Sequence, residues 1–199
     1  MNAPRTRTLP PWTRSSRLEA AATPTAPALL LRPWRPADTG DLVAVYRDAA
    51  LRRWASAAVH DEASAPQGVR DHQRGWETGN RFAFAVVESG ADGEEGRVLG
   101  QVVLKGALPG AASAEVGYWT AAPARGRDVA PRALRTLTDW AFARFGGHGL
   151  ARLELLHQAD NPASCRVAHK CGYALAGVLA AQPPAHPADG HLHVRERGI

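Results

Sequence analysis

The stretch ARGRDVAPRAL, residues 124–134, has the residue types of an anion-binding turn. A strand-like run, AEVGYWT (114–120), precedes it and a helical run follows. A strand, an Arg-Gly turn and a helix start together aim unpaired backbone N–H groups at one point. Arg125, Arg127, Arg132 and Arg135 crowd the same end. Asp128 is the anomaly, a carboxylate where an anion would sit. It also suits the role of N-cap, with Val129 first in the helix and Pro131 third, where a missing N–H leaves no helical bond unmade. Two readings stay open: an anion site, or a capped helix with a solvated basic face. GxGxxG and the P-loop pattern are both absent, so this is neither a dinucleotide fingerprint nor a nucleotide-triphosphate loop.

Other residues could also do chemistry. Glu115 is a carboxylate inside a strand, either solvent-facing or a general base. Gly117 is a glycine inside the same strand, marking a poorly packed position, a bulge or a close approach by ligand. Asp139, Glu154 and Asp160 are lesser candidates for a base, with Glu154 expected to alternate outward. Ser164, in the first turn of a helix capped by Asn161, either bonds its own backbone or faces a ligand. His191 and His193 put two rings on one face of a strand, with His186 nearby. No third ligand is well spaced from them, so no metal is expected.

These residues need a scaffold, and periodicity supplies one. Strands are expected at 28–34, 81–88, 97–107, 114–120, 150–157, 173–181 and 190–197, and helices at 36–51, 66–79, 129–145 and 161–172. In the first helix Asp38 or Thr39 is the expected cap. In the third, Val129, Ala133, Leu137 and Ala141 recur every fourth residue and form its inner face. Asn161, Pro162 and Gly172 punctuate the last. The order implies a mixed α/β (α+β) fold: a mostly antiparallel twisted sheet of about seven strands, about four helices, and a central βαβ unit in which the helix from 129 links two parallel strands.

Residues 1–27 read as a flexible, proline-rich leader, and 28–199 as one domain. Of the net charge of +5, +3 falls in that leader, leaving about +2 for the folded part. This argues against nucleic acid as the domain's partner. No apolar run is long enough to span a membrane. Cys165 and Cys171 fit no CxxC pattern and read as reduced thiols of a cytoplasmic protein.

The order of elements, together with AEVGYWT, ARGRDVAPRAL and NPASCRVAHKCGY, resembles the GNAT superfamily of acyl-CoA-dependent N-acetyltransferases, and within it the branch of ribosomal-protein N-terminal acetyltransferases. The similarity covers about 28–199. The resemblance implies acetyl-CoA as cosubstrate. The family's Q/R-x-x-G-x-G/A turn, which holds the CoA pyrophosphate on backbone amides, falls on Arg125, Gly126, Arg127, Asp128, Val129 and Ala130, with Asp128 in place of glycine. Weakened rather than abolished CoA binding is the expected result, more so if the Asp128 side chain caps the N–H of Ala130. The family's splayed strand implies main-chain contacts from Tyr118, Trp119 and Thr120 to the pantetheine arm, their side chains being core or cleft walls. Asn161 becomes a cofactor contact as well as a cap.

The resemblance gives Glu115 the role of base for an amine that arrives as ammonium, acting through water. Many relatives carry a tyrosine acid where this chain has Ala168, which leaves Ser164, or water, to protonate the departing thiolate. The acceptor, a protein or peptide α-amine or a small-molecule amine, would lie across 47–60 and 72–82, near Arg52, Arg53, Trp54 and Trp76. A homodimer is compatible with this reading. The rival is a non-catalytic acyl-CoA-binding regulatory module, motivated by Asp128 and the missing tyrosine.

Overall fold

A computed structural model describes residues 16–54, 62–90, 93–183 and 187–198. His186 and residues 55–60 of the expected acceptor region lie outside them. Eight strands form one sheet: β1 (Leu18–Ala20), β2 (Leu29–Pro33), β3 (Arg81–Ser89), β4 (Glu95–Lys105), β5 (Ser113–Thr120), β6 (Arg152–Gln158), β7 (Ala174–Leu179) and β8 (Gly190–Glu196). Their order across the sheet is β1-β2-β3-β4-β5-β6-β8-β7. Every neighbouring pair is antiparallel except β5 and β6. The helices are α1 (Thr39–Tyr46), α2 (Ala49–Trp54), α3 (Ala65–Thr78), α4 (Val129–Phe145) and α5 (Pro162–Lys170). The α4 crossover makes the parallel β5-β6 pair possible, as the sequence pattern requires.

Alternation along the strands builds two cores. On one face Phe82, Phe84, Val102, Leu104, Val116, Leu153 and Leu155 pack with Leu134, Leu137 and Ala141 of α4. On the other, Leu30, Ala85, Val87 and Val103 meet Leu42, Val45 and Val69 of α1 and α3. The fourth-residue stripe on α4 is buried throughout, from Val129 to Ala141.

Three expectations need correction. The sheet has eight strands, because β1 lies within the segment read as a leader and pairs with β2. Its backbone is tied down from 112 residues away: the buried Arg132 guanidinium donates to the carbonyls of Ala20 (3.3 Å), Ala21 (2.7 Å) and Pro27 (2.8 Å). Arg132 is thus a structural strut, not part of a solvated basic face. The helix expected at 36–51 is also broken. A 3-10 turn occupies Pro36–Asp38, and the helical run stops at Tyr46 and restarts at Ala49, where the Asp48 carboxylate accepts from the Ala50 N–H at 3.0 Å. Asp38 stands before α1 but bonds the Arg35 N–H and, bidentately at 2.8 Å, the buried Arg32. No helix among the described residues is long and apolar enough to cross a membrane.

Candidate active site

The parallel pairing of β5 with β6 runs only from Ser113↔Arg152 to Val116↔Leu155. Beyond it β6 continues paired with β8, out to Gln158↔Gly190, while β5 stays with β4 to Thr120. The two strands therefore part at Gly117, and the β6-facing backbone groups of Gly117 to Thr120 have no strand partner. Such a gap offers donors and acceptors to an extended ligand. Gly117 itself is not a bulge. Its register with Val103 is unbroken, and a Cβ there would press the Val103 methyl at 3.3 Å.

At the end of β5 the chain turns into α4 through Gly126 (φ 75°) and Asp128 (φ 55°), the one non-glycine residue at positive φ among the described residues. That left-handed geometry explains why glycine would suit position 128 and why aspartate is among the few side chains able to replace it. Asp128 precedes Val129 as N-cap, but its side chain makes no cap hydrogen bond. The carboxylate turns outward instead, to Lys170 at 2.8 Å and towards Arg135 at 3.8 Å. Among the described residues, none of the N–H groups of Gly126 to Ala130 meets a backbone carbonyl in hydrogen-bond geometry. With the helix start beside them, they are free to bind an anion. The expected competition for the Ala130 N–H is absent.

The flanking arginines are partly engaged. Arg127 pairs with Glu88 and Arg125 with Asp48, which fastens the turn to the break between α1 and α2. Partial burial would raise the Asp48 carboxyl, but hydrogen bonds from Arg125 and the Ala50 N–H outweigh it and hold the carboxyl below its ordinary value.

At the inner end of the gap the Tyr118 hydroxyl donates to Ser164 Oγ at 3.0 Å. Period-two alternation puts Tyr118 on the face of β5 that α4 and α5 cover, where it packs on the main core. Asn161 caps α5 by accepting the Ser164 N–H at 3.2 Å, which fixes the turn that carries Ser164. Ser164 therefore faces a phenol rather than its own helix. Burial pushes the Tyr118 hydroxyl up to about 12, and the bond to Ser164 pulls it back only in part, so it stays protonated at neutral pH. Ala168 is fully buried in the core and faces no cleft.

Glu115 and Trp119 point to the opposite face of β5. Cross-strand register lines up Arg81, Lys105, Glu115 and Glu154 in one row over four strands. Glu115 forms an ion pair with Lys105 and is about two-fifths exposed. The half-buried Tyr46 of α1 and the buried indole of Trp119 stand edge-on, 6.3 Å apart, on that side. Burial raises the Tyr46 phenol, with Arg81 pulling the other way; burial lowers Arg81, with Glu115 and Tyr46 opposing it. The row makes a charged shelf able to hold water or an amine beside Glu115.

Other expected residues lie elsewhere. Trp76 is buried and donates to the Ala83 carbonyl at 2.9 Å, which holds its indole in the core. Arg53 pairs with Asp160 at 2.9 Å and covers the Trp54 ring, while Arg52 bonds the Tyr46 carbonyl. Glu154 is held by Arg152 at 3.0 Å, and Asp139 of α4 lies 3.8 Å from Arg195 of β8. The Tyr118 phenol, bonded to Ser164, is the candidate group that sequence reasoning missed. Alternation from buried Val116 was the available signal.

Residues 28–174 match the acetyltransferase (GNAT) domain family. The chain belongs to the GNAT acetyltransferase family. With it, the chain belongs to the acetyl-CoA-dependent acyltransferases. Among curated proteins, none matches the sequence. The fold is shared with a Salmonella typhimurium acetyltransferase that modifies the N-terminal serine of a 50S ribosomal subunit protein (17% identity, TM-score 0.73, 90% of this GNAT chain and 99% of that one). It is shared as well with Mycobacterium smegmatis RimJ in complex with CoA-disulfide (23%, TM-score 0.70, 90% and 85%). A third is the microcin C7 self-immunity acetyltransferase MccE, in complex with acetyl-CoA and AMP (15%, TM-score 0.71, 85% and 92%).

Proposed function

We propose that this GNAT protein transfers the acetyl group of acetyl-CoA to a primary amine, with the α-amine of a peptide or protein as acceptor. The observation that carries the reading is the parting of β5 from β6 at Gly117, which leads at one end to the unpaired amides of residues 126–130 and at the other to the Tyr118–Ser164 pair. A linear donor with an anionic end and a thioester end matches that layout. Backbone groups of Tyr118, Trp119 and Thr120 would pair with the pantetheine arm. The turn of Arg125, Gly126, Arg127, Asp128, Val129 and Ala130 would take the pyrophosphate, and Asn161 would add a contact from α5.

The chemistry then follows from the two faces of β5. Glu115, acting through water, removes a proton from the incoming ammonium. The free amine attacks the thioester carbonyl, and a backbone N–H beyond Gly117 stabilises the negative charge on its oxygen. Ser164 protonates the leaving thiolate and is resupplied by Tyr118, the phenol that stands in for the tyrosine absent at Ala168; the second proton, shed by the nitrogen of the tetrahedral intermediate, passes through water to restore the phenol. The peptide acceptor is supported by the ribosomal-protein acetyltransferase that shares this fold, and small-molecule amines stay in the test as the other acceptor class.

The binding-module rival drew on Asp128 and on the missing tyrosine. Both lose force, because Asp128 turns to Lys170 and Tyr118 offers a phenol. Thiol release measured over peptides with free and blocked N-termini, and over small amines, tests the proposal. Turnover is expected with free α-amines and not with blocked ones. Glu115→Gln should lower turnover without changing acetyl-CoA affinity. No release with any amine would leave the binding module standing.

A further inference from the structure

We propose that His157, Cys165, His191 and His193 form a site for one divalent transition-metal ion of the zinc type. The four donor atoms come from three elements and lie within 4.8 Å of one another. The β6-β8 register places His157 directly opposite His191 and Leu155 opposite His193, so all three rings share the face that α5 covers. Cys165 enters from α5 and closes the set.

The distances suit a tetrahedral ion. With metal–nitrogen bonds near 2.0 Å and metal–sulfur bonds near 2.3 Å, neighbouring ligand atoms stand about 3.3–3.6 Å apart. Cys165 Sγ lies 3.2 Å from His191 Nδ1 and 3.7 Å from His157 Nε2. The remaining pairs, all within 4.8 Å, need to close by about 1.5 Å at most. The tautomer of His157 is already set. Its Nδ1 faces the Gln158 carbonyl at 2.8 Å, which can only accept, so Nε2 keeps its lone pair for the shared centre.

A hydrogen-bonded Cys-His cluster explains the arrangement less well. Cys165 can donate its S–H to His157 Nε2 and accept an N–H from His191 Nδ1, but that leaves His193 over. His193 is fully buried, and neither ring nitrogen has a hydrogen-bond partner among the described residues; the Tyr173 backbone approaches the ring without reaching full geometry. A buried imidazole with both nitrogens unpaired is rare unless something else occupies the space between the rings. Thiolate and imidazole favour zinc-type ions over magnesium or calcium. Four protein ligands leave no open position, which makes the site structural rather than catalytic. It would clamp α5 at Cys165, the residue next to Ser164, which faces Tyr118.

Cobalt(II) is the probe. The full chain, freed of any affinity tag and stripped with a chelator, is titrated with cobalt(II) and then with zinc(II). One cobalt per chain is expected, with a sulfur-to-cobalt charge-transfer band and the visible bands of a tetrahedral ion, bleached by zinc. Cys165→Ser should abolish the charge-transfer band, and His191→Ala should weaken binding by at least about a hundredfold, both with unchanged far-ultraviolet circular dichroism. Cys165 and His191 are partly exposed, so these variants avoid the buried His193. Absence of the bands in the unmutated chain overturns the proposal, and so does a charge-transfer band that survives Cys165→Ser. The readout needs no acetyl-CoA, so its failure is separate from failure of the acetyltransferase reading.

Discussion

The Tyr118 hydroxyl donates to Ser164 Oγ at 3.0 Å, although 46 residues separate the two in sequence. The pair joins β5 to the first turn of α5 and puts a proton donor where the strands part. If the two act as one relay, Tyr118→Phe and Ser164→Ala should each lower kcat by about tenfold, near or below the lower end for general-acid catalysis, since a thiolate leaves readily. KM for acetyl-CoA should change little. The double variant should be no slower than the slower single one, because residues acting as a unit are not additive. Tyr118 keeps its proton to about 12. No basic limb in kcat belonging to the phenol should therefore appear below about pH 10. Steady-state kinetics across pH checks all four statements.

Asp128 supplies both strain and charge at the α4 turn. Its left-handed backbone, φ 55°, is one that glycine adopts freely. Its exposed pairing with Lys170 contributes about 0–1 kcal/mol. Asp128→Gly should leave stability within about 1 kcal/mol of the parent. It should tighten acetyl-CoA binding about fivefold, as a negative charge leaves the anion site and Lys170 is released. Asp128→Asn keeps a residue that tolerates the left-handed region and removes only the charge, so it should recover most of the gain. Isothermal titration separates the two effects.

Arg132 makes the N-terminal strand part of the fold. Replacing it with Met leaves the carbonyls of Ala20, Ala21 and Pro27 without their charged donor. The expected loss is about 2–3 kcal/mol, or roughly 4–12 °C in Tm for a domain of this size. Deleting residues 1–27 should also lower Tm, which a leader without tertiary contacts would not do. Thermal unfolding of both variants is the measurement.

Glu95 gathers Arg32, Arg35 and Arg17 around one carboxylate. Partial burial would raise its carboxyl, but the Arg32 hydrogen bond and the arginine charges outweigh that and hold it below its ordinary value. A lowered folded-state value contributes stability that is present above the ordinary range and lost as pH falls through the lowered value. Glu95→Gln should therefore cost about 1–2 kcal/mol at neutral pH, and the gap to the parent should shrink below about pH 4. Thermal unfolding at several pH values tests this.

The α4 turn was legible because its signals are local: Asp128 before the helix, Gly126 in the turn, and a fourth-residue stripe after it. The parallel β5-β6 pair was legible from the crossover helix between them. Features made by distant partners were not. The break between α1 and α2 depends on Asp48, which bonds Arg125 from 77 residues away. The short β1 lies in a proline-rich stretch and is held by Arg132. The direction of the Asp128 carboxylate depends on Lys170, and the Tyr118 phenol gains its meaning only from Ser164. His191 and His193 lacked a third ligand because His157 comes from the neighbouring strand and Cys165 from the helix above it.

The most direct test of the central claim is transfer of a labelled acetyl group. A peptide with a free N-terminus is incubated with the protein and acetyl-CoA carrying an isotopic label in the acetyl group, and the peptide is then fragmented in a mass spectrometer. The expected result is the label on the α-nitrogen, formed at a rate that falls in Tyr118→Phe and Ser164→Ala. Binding of acetyl-CoA without label on any peptide or small-molecule amine would contradict the account.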